Sequence, residues 1–247
     1  MVGVRRAGRA GRVVAAVAAA VLLGGAVAGC GAGDEGASSP SAAAEVRTSP
    51  IADRLAKLPA VVDGAKVVVG KAEAPRTVRV LVDPRCGYCA KFEAAGGETL
   101  LKLADEGKVR IEYLLASFLD RGGASGSVKA VNALRASVDA GRFAEYHAAV
   151  FASQPKGKFT DGLLLRIADR VPGLRGAAFD KAVAEGTYAG WAGEAERAFE
   201  ATGMRGTPAV LVDGEPVGTK DGSMFDAAAF ARTLEAAGVG AGAGAGA

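Results

Sequence analysis

The sequence predicts an α/β domain with an all-helical segment inserted into it, and three observations lead there. A near-continuous apolar run, Val78-Arg79-Val80-Leu81-Val82, has the pattern of a strand buried on both faces. It passes through Asp83-Pro84, a turn signal, into a segment of helical composition. From about Ser127 to Thr202 the composition is almost wholly helical, with breaks at Gly141, Pro155 to Lys158, Pro172-Gly173 and Gly186. That stretch reads as four or five helices with no strand among them. The chain then returns to a strand, Val210 to Val212, a hairpin turn at Asp213-Gly214 and a last helix from Ser223 to Ala237, with Ser223 as candidate cap.

The junction of the first strand with its helix carries Cys86-Gly87-Tyr88-Cys89. Two cysteines at this spacing on a helix start share a face and lie within bonding reach. The helix N-terminus has unpaired N–H groups and partial positive charge, which favour a thiolate at the first cysteine. Strand, turn, Cys-x-x-Cys and helix therefore form a redox arrangement. Two other readings stay open. A structural bridge closing so small a loop removes chain entropy worth only about 2 kcal/mol, against about 3 kcal/mol for a 15-residue loop. A tetrahedral metal site wants four ligands, and beyond this pair the chain has only Cys30 and one histidine, His147.

At 247 residues the chain has room for one sizeable domain plus extensions, and 50% apolar residues suffice for a core. The formal charge of +3 comes from Arg5, Arg6, Arg9 and Arg12; without them 26 basic residues face 27 acidic ones. That balance carries no basic footprint for nucleic acid. Met1 to Arg12 is a positive n-region, and Val13 to Ala28 an apolar h-region, short for a membrane span and suited to a signal peptide. It ends in Val27-Ala28-Gly29-Cys30, which resembles a bacterial lipobox over all four positions. The resemblance implies a lipoprotein in which residues 1–30 hold the signal and Cys30 is acylated after cleavage. An uncleaved anchor or an ordinary cleaved signal are the alternatives; Arg5-Arg6 also admits a twin-arginine reading, which its flanking residues fit poorly. Lipid on Cys30 leaves one cysteine pair in an exported, oxidising setting.

Residues 31–60, rich at first in Gly, Ala, Ser and Pro, read as a flexible tether, within which Ile51 to Leu58 suits a short helix. Lys66 to Val69 reads as the first strand, after a turn at Asp63-Gly64. The helix after Cys86 is expected to run to about Glu106, bent near Gly96-Gly97 and stopped by Gly107, before a strand at Val109 to Leu115. His147 and Trp191 read as packing residues, although a single histidine also has the chemistry of a proton shuttle. Pro208 suits a strand start and Pro216 an edge strand. Residues 238–247 are Gly/Ala low complexity and are expected to be disordered.

The Cys-x-x-Cys after a buried strand, the helical insertion, and Gly206-Thr207-Pro208-Ala209-Val210 before a hairpin and last helix together resemble thioredoxin-fold thiol–disulfide oxidoreductases of the DsbA/DsbC type. The resemblance covers residues 61–237. It implies a central mixed β-sheet flanked by helices, with the helical insertion at about 124–202. It further implies Cys86 as nucleophile, Cys89 as resolving partner, Gly87-Tyr88 as active-site dipeptide, and Thr207 with a cis Pro208 facing the disulfide and holding substrate backbone. Glu93, four residues after Cys89, matches an acidic residue near the DsbA site. Gly87-Tyr88 departs from the Pro-His of DsbA and, with Thr207 before the proline, is similar to DsbC, whose N-terminal dimerisation domain has no room here. Val80 stands where thioredoxin has a buried aspartate, and Asp83 is common in DsbA-like sequences.

What this implies is a protein thiol–disulfide oxidoreductase with no cofactor, lipid-anchored on the extracytoplasmic side of the cell membrane. Its expected partners are exported proteins with cysteine thiols and a membrane redox partner that recycles the pair. A client thiolate attacks Cys86, and the mixed disulfide is resolved by a second client thiol or by Cys89. Three readings of the activity compete: a disulfide-forming oxidase, a reductase or isomerase, and a non-enzymatic client-binding lipoprotein.

Overall fold

The computed structural model describes residues 45–240. A six-stranded mixed sheet runs in the order β1-β2-β4-β3-β5-β6. Its members are β1 (Ala60–Asp63), β2 (Lys66–Val69), β3 (Arg76–Val82), β4 (Val109–Leu115), β5 (Ala209–Val212) and β6 (Glu215–Pro216). The central pair, β3 and β4, is parallel, with Val78 opposite Ile111 and Val80 opposite Tyr113. A parallel pair needs a long crossover. Here it is α2 (Gly87–Phe92), one π-helical turn (Glu93–Gly97) and α3 (Glu98–Asp105). All other pairings are antiparallel.

The expected strands all occur, and β1 is an addition. It is a four-residue edge strand whose residues alternate in burial, too short and too exposed to stand out as an apolar run. It pairs with β2 in the hairpin closed by Asp63 and Lys66. The β5–β6 turn has positive φ at Asp213 (52°) and Gly214 (87°), the pair of left-handed conformations that matches strand twist.

The sheet is covered on both faces. On one, Leu81, Leu114, Ala116 and Ala209 pack against Phe199 of α8 (Ala189–Ala201). On the other, Val78, Val80, Val82, Ile111 and Tyr113 join a larger core with Phe92, Leu100 and Phe230. The insertion contains α4 (Ser127–Asp139), α5 (Phe143–Ala152), α6 (Asp161–Ala168), α7 (Ala177–Glu185) and α8. Its apolar residues, among them Tyr146, Leu164 and Phe179, belong to that same core. Gly126, at φ 74°, leads into α4 so close to Phe159 that a Cβ would sit 2.2 Å from its carbonyl oxygen. The last helix, α9 (Ala227–Ala236), is capped by Asp226, whose side chain accepts from Ala229 N. Ser223, the expected cap, instead opens a short 3₁₀ turn, because extended backbone at Asp226 separates the two.

The chain ends are held further than their composition implied. The tether expected over 31–60 is packed from residue 45 onward. Ser153 Oγ accepts from Arg47 N and donates to Arg47 O, and Leu55 of α1 (Ala52–Leu55) is buried, as is Leu58. These leucines have apolar surface that a solvated linker would leave in water. At the other end Val239 is fully buried, with its N–H on Leu234 O, so the expected 238–247 tail is ordered at its start. The signal segment, Cys30 with its lipobox, the tether up to residue 44 and residues 241–247 lie outside the described residues.

Candidate active site

The site grows out of the turn that ends β3. Cys86 N donates to Asp83 O at 2.9 Å, and Arg85 N donates to the Asp83 carboxylate at 2.8 Å. This closes the chain tightly enough to place Cys86 at the N-cap of α2, in extended conformation. Cys86 is half-buried and Cys89, inside the first turn, is fully buried; both are free thiols. In its thiol form Cys86 Sγ donates to Thr207 O at 3.3 Å. The Thr207–Pro208 peptide is cis, and β5 starts at the next residue. Thr207 Oγ1 is buried without a hydrogen-bond partner.

These surroundings split the two thiols. The Cys86 thiol is pulled down to about 6, first by the hydrogen bond from Cys89, then by those from Thr207 and the backbone N–H groups of Cys89 and Tyr88, against the opposing cost of burial. Cys89 is driven far upward, by burial first and by the Cys86 thiolate second. At neutral pH the reduced pair is one thiolate stabilised by one thiol. That is the state a nucleophile and leaving group needs.

Asp83 completes the floor. It is fully buried and accepts from Arg85 N and Ser127 Oγ on one oxygen and Leu119 N on the other. Burial pushes its carboxyl up to about 6 against those three hydrogen bonds, and the charge on Cys86 adds to the rise. Because Ser127 opens α4, this residue ties the turn to the insertion. A second tie is Gln154, in the loop after α5, whose Nε2 donates to Pro84 O at 2.7 Å and Cys86 O at 3.1 Å. Arg85 donates to the neighbouring Pro155 O.

Of the dipeptide, Gly87 packs loosely, and Tyr88 is 67% exposed with its ring centroid 6.0 Å from that of Phe225. Lys91 Nζ lies 5.2 Å above the same Phe225 ring. Glu93 sits in the π turn with its carboxylate buried and Oε1 3.1 Å from Nε2 of His147. The structure thus brings Cys86, Cys89, Thr207 and Pro208 together and places Glu93 one turn beyond Cys89. His147, read as half-buried packing, is fully enclosed and faces Glu93. Gln154 and Ser127 were not singled out in the sequence. A loop glutamine and a helix-start serine have no periodicity or motif that marks them; only the fold brings them to the site.

The fold and this site define a dithiol oxidoreductase of thioredoxin architecture. A thioredoxin family model matches residues 63–229, and the chain belongs to that family. Among solved structures it is similar to the MdbA thiol-disulfide oxidoreductase of Corynebacterium matruchotii, at 23% identity over 67% of this chain and 90% of that one, with a TM-score of 0.58. The MdbA protein of Actinomyces oris gives 20% identity over 71% and 90%, with a TM-score of 0.60. BdbD of Bacillus subtilis gives 21% identity over 73% and 96%, with a TM-score of 0.58. A stretch of 32 residues is 88% identical to a hydroxyurea phosphotransferase of Kitasatospora aureofaciens; it spans 13% of this chain and 9% of that protein.

Proposed function

We propose that the protein is a membrane-tethered thiol–disulfide oxidase that introduces disulfides into exported proteins. The observation that carries this reading is the split between the two thiols. A hydrogen-bonded Cys86 thiolate stabilises the reduced pair, which makes its disulfide more oxidising than that of a pair of unperturbed thiols. A client thiolate attacks Cys86 Sγ, the Cys86–Cys89 bond breaks, and Cys89 leaves with the electron pair and takes up a proton. A second client thiolate then attacks the client sulfur of the mixed disulfide, and Cys86 leaves as thiolate. The client gains a disulfide and the enzyme ends as the dithiol, to be reoxidised by a membrane partner that accepts two electrons.

Half-exposed Cys86, exposed Tyr88 with Phe225, and the Thr207 carbonyl form the face offered to a client. An extended client segment would pair its backbone beside Thr207-Pro208. The lipobox ending in Cys30 supports attachment to the extracytoplasmic face of the membrane; Cys30→Ser would then move the protein from the membrane to the soluble fraction.

The deciding experiment is the reduction potential of the Cys86/Cys89 pair against glutathione. A value of about −120 to −180 mV, the range of DsbA and protein disulfide isomerase, is expected. A value of about −270 mV, like thioredoxin, would make the protein a reductase. A strong oxidant that also refolds scrambled substrates would be an isomerase, the reading that Gly87-Tyr88 and Thr207 favour by their similarity to DsbC.

A further inference from the structure

Four segments meet at Cys86. One is the active-site turn with the start of α2, residues 84–91. Gln154 brings residues 154–158 to the Cys86 carbonyl, and Thr207 brings residues 203–207 to its sulfur. Phe225 brings residues 217–226 to the ring of Tyr88. The charges in these segments are mostly of one sign: Arg85, Lys91, Lys156, Lys158, Arg205 and Lys220 stand against Asp221 and Asp226. Both carboxylates already accept a backbone N–H, Asp221 from Ser223 and Asp226 from Ala229. None of the six cations has an ion-pair partner among the described residues. Without its first four arginines the chain has 26 basic and 27 acidic residues, so the surplus belongs to this face and not to the molecule.

Arg85 is the cation with the most to gain from a partner. It directly precedes Cys86 and is half-buried. Its Nη1 donates to Pro155 O, which fixes the guanidinium, while its Nε is buried without a hydrogen-bond partner. Asp83 does not neutralise it, because that carboxylate accepts the Arg85 backbone N–H, Ser127 Oγ and Leu119 N. A cation stripped of part of its water and given no carboxylate is costly to hold. A guanidinium already fixed in one plane is also well suited to bind one. Lys91 lies over the Phe225 ring, which sets a second cation beside the exposed aromatic surface of Tyr88.

We infer that the client face selects cysteines flanked by aspartate or glutamate, with Arg85 as the principal partner of the client carboxylate and the other five cations as its steering field. The inference rests on the reading of this face as the one a client meets, and not on the direction of exchange. Carboxylates beside a cysteine raise its pKa in the free client. The cations around Cys86 offset that rise on docking, so the client becomes a better nucleophile where it is used.

The test uses the oxidised protein and reduced peptides of one sequence in which both residues flanking the cysteine are Glu, Gln or Lys. The rate of exchange is followed by quenched flow and mass spectrometry. Each rate is divided by that of the same peptide with hydroxyethyl disulfide, an uncharged reagent that reports the intrinsic reactivity of the thiol. The Glu peptide is expected to exceed the Lys peptide by about 10-fold at low salt, the lower range of electrostatic steering. In 1 M NaCl, where the Debye length is about 3 Å, that ratio should fall toward one. Arg85→Gln, and Lys156→Glu with Arg205→Glu, should each lower the low-salt ratio. Because the ratio compares two peptides on one protein, a general change in Cys86 reactivity cancels from it. Should the variants fail to fold, the salt dependence of the wild type decides. Equal normalised rates, a preference for the Lys peptide, or a Glu preference unchanged by salt would overturn the inference. Equal rates together with salt-sensitive binding to phosphatidylglycerol vesicles would assign the cations to a lipid surface instead. No exchange with any peptide would be a different failure, that of the exchange chemistry itself.

Discussion

Cys86 and Cys89 have the same side chain, and their difference lies in what surrounds each sulfur. Because the Cys86 thiol is lowered from 9.0 to about 6, its contribution to the stability of the reduced form is present above pH 9 and lost as pH falls through about 6. Its rate of alkylation by iodoacetamide is therefore expected to rise with an inflection near pH 6. An inflection above 8, as in an unperturbed thiol, would contradict that. Asp83 has the opposite sign. Its carboxyl is raised to about 6, so its contribution is present below pH 4 and lost as pH rises through about 6, by up to about 3 kcal/mol. Asp83→Asn sets an amide N–H₂ against either Leu119 N–H or Arg85 N–H and costs about 1–3 kcal/mol at low pH. Urea midpoints of the disulfide form, in which Cys86 does not ionise, should show that gap narrowing between pH 5 and pH 7.5. Asp83 was legible as a turn residue from Asp83-Pro84 alone. Its link to Ser127 and Leu119 was not, because neither partner is near it in sequence.

The crossover shows how far an element can be read. Gly96-Gly97 marked a bend, and the structure has there a π turn that adds a residue to the helical repeat. What sequence pattern does not convey is the reason for each glycine. A Cβ at Gly96 would lie 2.6 Å from Met224 O, while at Gly97 it would strike the Glu93 carboxylate. Gly97→Ala is expected to cost about 1–3 kcal/mol in chemical denaturation, the range for overpacking, and to move Glu93 off His147. An alanine variant of wild-type stability would mean that the carboxylate has somewhere else to go. Elements with a long apolar run, such as β3 and β4, were legible to within a residue or two. β1 was not, since four residues that alternate in burial carry too short a signal.

For the molecule as a whole, the order of strand, crossover, insertion and hairpin was legible because each segment keeps its own periodicity. The sharing of one core between sheet and insertion was not, because periodicity says which face is apolar and not what will cover it. That sharing has a measurable result. Trp191, the single tryptophan, lies in α8 and donates its indole N–H to Gly64 O in the β1–β2 turn, across the junction. Its fluorescence and the far-ultraviolet circular dichroism should therefore lose their native signals at the same denaturant concentration. Two separated transitions would show that sheet and insertion melt independently.

Ser153 and Gln154 are neighbours on one loop with different charges to keep. The first grips the chain at Arg47, and the second grips the carbonyl of Cys86. The described N-terminal end of the chain and the backbone of the reactive cysteine are thus fastened by adjacent residues of the same loop.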